Sequence, residues 1–305
     1  MRHTLYRGRR AYQWENEALR VTVLAEGGHI AEVLDKASGI NPMWTPPWPT
    51  IEHSAYSLAA HPEYGSDSES KLLAGIMGHN WCVDHFGPPS KEEAAAGYTV
   101  HGEASTAAFD ENLRAHLPLS QLAVSRQIRL EGNHVYFSET VENLLPFDRQ
   151  IAWQEHVTLG PPFVAHGVTT IEAPILRSAR LNEVQFDWVH RTYPLAAQSS
   201  DYHAHLLSKG EVKIANADLG LAIRYEWNLQ DFPWLGIWEE NCERKNAPWN
   251  GETIAWGIEF GASPYPEPRF RRNARGMMWA APTGVWLPAL ATRRIDYKMT
   301  LGGLA

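Results

Sequence analysis

Apolar and polar residues alternate with a period of two along much of this chain, as in strands that bury one face. Leu19–Val23 alternates and runs into Gly27-Gly28, a turn before His29–Leu34. Leu122–Leu130 alternates cleanly; Gly132-Asn133 then supplies a turn, and Val135–Val141 reads as the partner strand. Val212–Ala215 and Leu221–Trp227, joined through Asn216–Gly220, read as another hairpin, and Ile295, Tyr297, Met299 and Leu301 alternate near the C-terminus. Helical periodicity is nearly absent. Ser90–Ala96 is the exception, with Ser90 as N-cap and Glu93 at the capping-box position. Residues 41–68, rich in Pro, Trp and Ser, predict a long irregular segment of the kind that often carries function. The pattern predicts an all-β chain, a large antiparallel β-sandwich with few short helices, and residues 1–305 as one domain.

Charge narrows the partners. The formal net charge is −8, and the one basic cluster is Arg269, Arg271, Arg272 and Arg275. Nucleic-acid binding lacks its electrostatic basis. The cluster reads as a solvated loop near Glu267 or as a phosphate site. No apolar run reaches the length of a membrane span, and no apolar segment follows Arg7, Arg9 and Arg10. Neither a membrane partner nor a signal peptide is expected. Cys82 and Cys242 are the only cysteines, which argues against a disulfide scaffold and suits a reducing cytoplasm. Thirteen tryptophans are unusual for this length; most must serve core and inter-sheet packing, and a few could line a carbohydrate site, where an indole stacks on the C–H face of a sugar ring. A monomer and a homodimer both fit.

Three short motifs beside strand-like segments carry the candidate chemistry: His101-Gly102-Glu103, Trp153-Gln154-Glu155-His156 and Gly257-Ile258-Glu259. Two imidazoles and a carboxylate form a metal-free acid–base set. On a strand, Glu155 points to the face opposite His156, so His156 is the pocket candidate. Glu259 lies among Trp256, Ile258 and Phe260, where a carboxylate needs a partner or a polar cavity. Each also has a plain structural reading, as a strand-edge His, a buried His satisfied by backbone, or a surface Glu. The segment Gly78–Pro89 is dense in polar and aromatic groups, with His79, Asn80 and Trp81 as candidate substrate contacts. Its His79, Cys82, Asp84 and His85 are competent metal ligands, but their spacing matches no standard zinc pattern, and no metal is expected. In Trp234–Asn241, period two puts Trp238 and Glu240 on one face, as rim residues of a pocket.

In this order the three motifs resemble the aldose 1-epimerase (galactose mutarotase) superfamily. The opening strand–Gly turn–strand through Trp44 and the closing Gly284–Pro288 turn with its last strand are similar to that family as well. The resemblance implies the galactose mutarotase-like supersandwich, a small-molecule sugar as partner, and no cofactor. It assigns His101 to hydrogen bonding near the ring oxygen, His156 to general acid and Glu259 to general base. The chain departs from the family pattern: no Arg follows His101-Gly102 in Glu103–Thr106, Val157–Gly160 replaces aromatic residues and Asn, and Phe260-Gly261 replaces Thr-Gln. It reads as a divergent branch. The expectation is a sugar mutarotase working by ring opening. The alternatives are a non-catalytic carbohydrate-binding protein, a glycoside hydrolase or lyase using Glu240 with Glu259, and a metal-dependent sugar isomerase using His79, Asp84 or His85.

Overall fold

The computed structural model describes residues 1–189, 191–194 and 197–304. The alternating stretches become strands, paired antiparallel, in one twelve-stranded and one eight-stranded sheet with a two-stranded ribbon beside them. Leu122–Glu131 and His134–Asn143 form a hairpin closed by Gly132-Asn133, with Gly132 at φ +56° as such a tight turn requires. Glu211–Asn216 pairs with Leu221–Trp227, and the last strand, Thr292–Gly303, lies beside His134–Asn143. The short helix forms at Lys91–Ala95. Ser90 Oγ accepts the Glu93 N–H at 3.2 Å, and the Glu93 carboxylate accepts the Ser90 N–H at 2.8 Å. Ser70–Leu73 and Arg269–Arg275 are the other α-helices among the described residues.

Five strands of the large sheet position the site: β1 (His79–Asp84), β2 (Arg149–Leu159), β3 (Ser200–Leu207), β4 (Trp234–Asn241) and β5 (Ile254–Gly261). Their order across the sheet is β1-β2-β5-β4-β3. All five are buried on both faces. One face meets the eight-stranded sheet in the main core, where Trp153, Val157, Ile258 and Phe260 pack with Phe137, Tyr225, Tyr297 and Met299. Phe260 stacks on Trp227 at 4.3 Å between ring centres. The opposite face is covered by loops, chiefly the irregular segment that begins with Trp44 and Trp48, and by the turn carrying Trp249.

A polar network lies inside the main core. His79 Nε2 is 2.8 Å from Glu155 Oε2, Arg126 Nε is 2.6 Å from Glu139 Oε1, and Arg126 Nη2 is 3.4 Å from Glu155. Tyr297 Oη lies 2.9 Å from an oxygen of each carboxyl. Burial, and then the neighbouring Glu155, push the Glu139 carboxyl up to about 8. Burial holds the His79 imidazole well below its ordinary range. Burial raises the Glu155 carboxyl as well, with Arg126 opposing it, so the network sets one guanidinium against two carboxyls pushed toward their neutral forms and a neutral imidazole.

Candidate functional site

Cross-strand partners present their side chains on one face of a sheet, so register alone assembles the centre. His156 of β2 is opposite Glu259 of β5 and, on its other side, opposite Asn80 of β1; Glu259 is in turn opposite Gly236 of β4. This row points away from the main core. His156 Nε2 lies 3.1 Å from Glu259 Oε1, and its Nδ1 lies 3.1 Å from Thr158 Oγ1. Gly236 has to be small: Tyr202 crosses it where a Cβ would stand, and the Tyr202 hydroxyl donates to the Pro264 carbonyl at 3.0 Å.

A loop brings His101 to the same place. Its ring centre is 4.6 Å from that of His156, at 68° between planes. His101 is at φ +65°, an uncommon conformation for a residue with a Cβ, of the kind that clusters at functional sites. Two bonds with Gly87 hold it there: the His101 N–H donates to the Gly87 carbonyl at 3.0 Å, and the Gly87 N–H donates to His101 Nδ1 at 3.2 Å. The ring proton must then sit on Nε2, which is left as a donor.

Burial sets the protonation of the centre. It pushes the Glu259 carboxyl up to about 8 and pulls the His156 imidazole down to about 4. Burial also holds His101 well below its usual range, with His156 and Arg244 adding to the effect. Across the neutral range the Glu259–His156 pair holds one proton. Those directions place the proton on the Glu259 carboxyl and leave the His156 imidazole neutral; the tautomer with the proton on His156 is the charged one, reached across the 3.1 Å contact.

Over the pair opens a cavity of about 400 Å³, the size of a monosaccharide site. Its apolar wall includes Trp44, Trp238, Trp249, Leu72 and Ile76, and its polar groups include Glu69, Asp201, Tyr202 and Arg244. The Arg244 guanidinium lies 4.6 Å from the Trp249 ring centre and 5.7 Å from that of Trp238. Glu69 at 3.2 Å and Glu240 at 3.5 Å balance its charge. Larger depressions lie elsewhere, one around Arg149 and Trp286 and one on the outside of the eight-stranded sheet; neither contains an acid–base pair like this one.

Of the residues singled out by sequence, His101, His156, Glu259 and Trp238 line this cavity. Asn80 lies in the same sheet row but beneath it, fully buried, with Oδ1 3.5 Å from Cys82 Sγ. Three expectations need correcting. His79 and Trp81 flank Asn80 on the strand, so their side chains leave by the other face. His79 joins the core network, and Trp81 packs on Trp153 and under Arg126. Glu240 shares a face with Trp238, yet it turns into the strand-end loop, accepting the N–H groups of Glu243 at 2.7 Å and Arg244 at 3.0 Å. It supports Arg244 rather than lining the cavity. The carboxyls that do line it besides Glu259 are Glu69 and Asp201.

Sequence reasoning did not assign Trp44, Glu69, Tyr202 or Arg244 to the pocket. The irregular segment around Trp44 and the dense patch containing Arg244 were visible signals, but nothing local says that either folds over β2 and β5. Among the described residues, no group of three His, Cys, Asp or Glu side chains is placed to hold a metal ion. Asp84 meets Arg149 at 2.8 Å and Arg269 at 3.3 Å, and His85 lies 3.1 Å from Glu93. Two further arginines of the basic cluster are also engaged within the protein: Arg272 donates to the Asp84 carbonyl at 2.6 Å, and Arg275 pairs with Glu267 at 3.0 Å.

No family model matches the chain, and no curated protein does. Solved structures do. A candidate aldose 1-epimerase from Klebsiella pneumoniae superposes with a TM-score of 0.73 at 15% identity, over 96% of this chain and 79% of that one. A galactose mutarotase related enzyme from Lactobacillus acidophilus gives 0.64 at 14% identity, over 96% and 97%. A galactose mutarotase-like protein from Clostridium acetobutylicum gives 0.61 at 12% identity, over 99% and 98%. The chain therefore has the β-sandwich fold of the aldose 1-epimerase and galactose mutarotase-like proteins. No helix among the described residues is long and apolar enough to cross a membrane.

Proposed function

We propose that the chain is an aldose 1-epimerase-like isomerase that interconverts the anomers of a sugar by opening and reclosing its ring. The observation that carries this reading is the Glu259–His156 contact of 3.1 Å on the floor of a sugar-sized cavity. Anomer exchange moves one proton off O1 and one onto the ring oxygen. Both oxygens are bonded to C1, so acid and base must be neighbours. The pair rests with its single proton on Glu259; once that proton crosses the 3.1 Å contact to His156, the pair has a carboxylate to take the O1 proton and an imidazolium to protonate the ring oxygen. The C1–O5 bond breaks, O1 becomes the aldehyde oxygen, and the proton count of the pair is unchanged. Rotation about C1–C2 presents the other carbonyl face, and the reverse transfers close the ring. His101 Nε2–H supplies a hydrogen bond toward the ring oxygen, and Trp238 offers an indole face to the sugar's C–H surface. Neither redox nor hydrolytic chemistry is required.

The test is saturation-transfer NMR on anomeric protons, with a panel of free and phosphorylated aldoses, for the parent and for Glu259→Gln. Faster exchange for one sugar, lost in the variant, supports the reading. Sugar binding without faster exchange for any sugar defeats it and supports the second reading, a binding protein on the same fold. That alternative draws on Arg244, the cation of the cavity, being already balanced by Glu69 and Glu240.

A further inference from the structure

The sugar cavity does not end at Pro266. A second depression adjoins it, and Leu181 and Pro266 line both. Beyond them it is lined by Tyr265, Glu267, Phe270 and Arg275. Its base is tied together before any ligand arrives. Arg275 pairs with Glu267 at 3.0 Å and with Glu183 at 2.9 Å, and it lies 5.1 Å from the Tyr265 ring centre. This joins the tip beside Leu181 to the segment carrying Pro266. On the rim stands Phe270, a phenyl ring 61% exposed on the Arg269–Arg275 helix. Most of that ring is left uncovered by the folded chain, and Leu181 beside it is about half exposed as well.

Taken with the proposed mutarotase chemistry, on which this inference rests, the layout says how a larger substrate would lie. The acid–base pair is on the sheet floor, so C1 of the reacting sugar is its deepest carbon. That carbon must carry a free hydroxyl, and any further sugar unit can be attached only through a hydroxyl on the rest of the ring. Those hydroxyls face the mouth of the cavity, where the second depression begins. We propose that this depression is a second saccharide subsite, and that the chain takes the reducing end of a disaccharide or short oligosaccharide. The next sugar unit lies over the Leu181–Pro266 ridge with its C–H face on Phe270. Arg275, Glu267 and Glu183 form the polar edge that meets its hydroxyls, in the usual pattern of an apolar platform with a few fixed polar groups.

The experiment compares anomeric exchange of glucose with that of maltose, cellobiose and melibiose, each of which has glucose at its reducing end, for the parent and Phe270→Ala. Binding of each sugar is measured alongside by line broadening. The expected result is a kcat/KM for at least one disaccharide about tenfold above that of its monosaccharide, with a ratio that falls toward one in Phe270→Ala, as loss of one aromatic contact implies. Because Phe270 is exposed, the variant folds; its circular dichroism and melting temperature check this. Exchange that is equal for mono- and disaccharides, or confined to monosaccharides, overturns the subsite and leaves the mutarotase reading standing. No exchange with any sugar, but disaccharide binding that is tighter than monosaccharide binding and is lost in Phe270→Ala, overturns the mutarotase reading and keeps the subsite. Neither exchange nor preferential binding overturns both.

Discussion

Two Glu–His pairs sit on opposite faces of β2, one residue apart. Glu155 meets His79 at 2.8 Å, and His156 meets Glu259 at 3.1 Å. The residue types are the same and the distances are close. The surroundings differ. The inner pair is sealed between the sheets and shares Arg126 and Tyr297 with Glu139. Among the described residues no Lys or Arg pairs with the outer pair, which opens onto the cavity. A buried carboxyl sealed beside a guanidinium holds structure together and has no reacting atom to exchange a proton with. A buried carboxyl beside an imidazole alone keeps a proton that can move. Chemistry is thus assigned by the neighbours of a pair and by access to it, and the pair alone does not decide it.

The largest break in this comparison comes from the outer face. Glu259→Gln is expected to slow anomer exchange by about a hundredfold to ten-thousandfold, read by saturation transfer, while the chain stays folded. The sign of its stability effect follows from the same burial. The folded carboxyl binds its proton more tightly than the unfolded one does, so stability is lost as pH rises from the ordinary carboxylate range through about 8. Glutamine removes that loss, and above pH 8 the variant should melt higher than the parent. A lower melting temperature there would contradict the assignment of Glu259 as a buried, proton-holding group.

The mirror experiment is Glu155→Ala. It leaves His79 and part of Arg126 without a partner in the core and is expected to cost about 3 kcal/mol of stability, seen as a lower urea midpoint. Turnover per folded molecule should survive. A variant that folds as stably as the parent yet loses turnover would reverse the roles given to the two pairs.

The pH profile should follow the outer pair alone. Exchange is expected to be fastest between about 4 and about 8, where the pair holds one proton. Below that window both members are protonated and the base is lost; above it the acid is lost. A rate that keeps rising past pH 9 would point to a different acid. The smallest effect belongs to the wall: Trp238→Ala should raise KM by about tenfold with little change in kcat, as loss of a stacking contact does. A fall in kcat with KM unchanged would make Trp238 a positioning residue instead.

Period two made much of this legible beforehand. It gave the strands, the Gly132-Asn133 hairpin and the opposite headings of Glu155 and His156. The same rule, carried one strand over, would have sent His79 and Trp81 inward with Glu155; chemical density in Gly78–Pro89 drew attention away from it. The pairing of His156 with Glu259, 103 residues later in the sequence, depends on which strands become neighbours in the sheet, and no local pattern encodes that. Glu69 and Arg244 reach the cavity through loops, where alternation carries no information, and Tyr202 reaches it on a strand whose pairing opposite Trp238 no local pattern encodes. The absent Arg after His101-Gly102 remains a departure, with Arg244 as the cation that the fold delivers to the same cavity from another strand's end.

The two faces of β2 also constrain how this gene can change. A substitution in the strand touches one face and leaves the other intact. An insertion or deletion of one residue sends each following side chain to the opposite side, putting His156 into the core and Glu155 into the cavity at once. Length variation among natural variants should therefore collect in turns such as Gly132-Asn133 and be missing from Arg149–Leu159, a segment whose spelling can drift but whose letter count cannot.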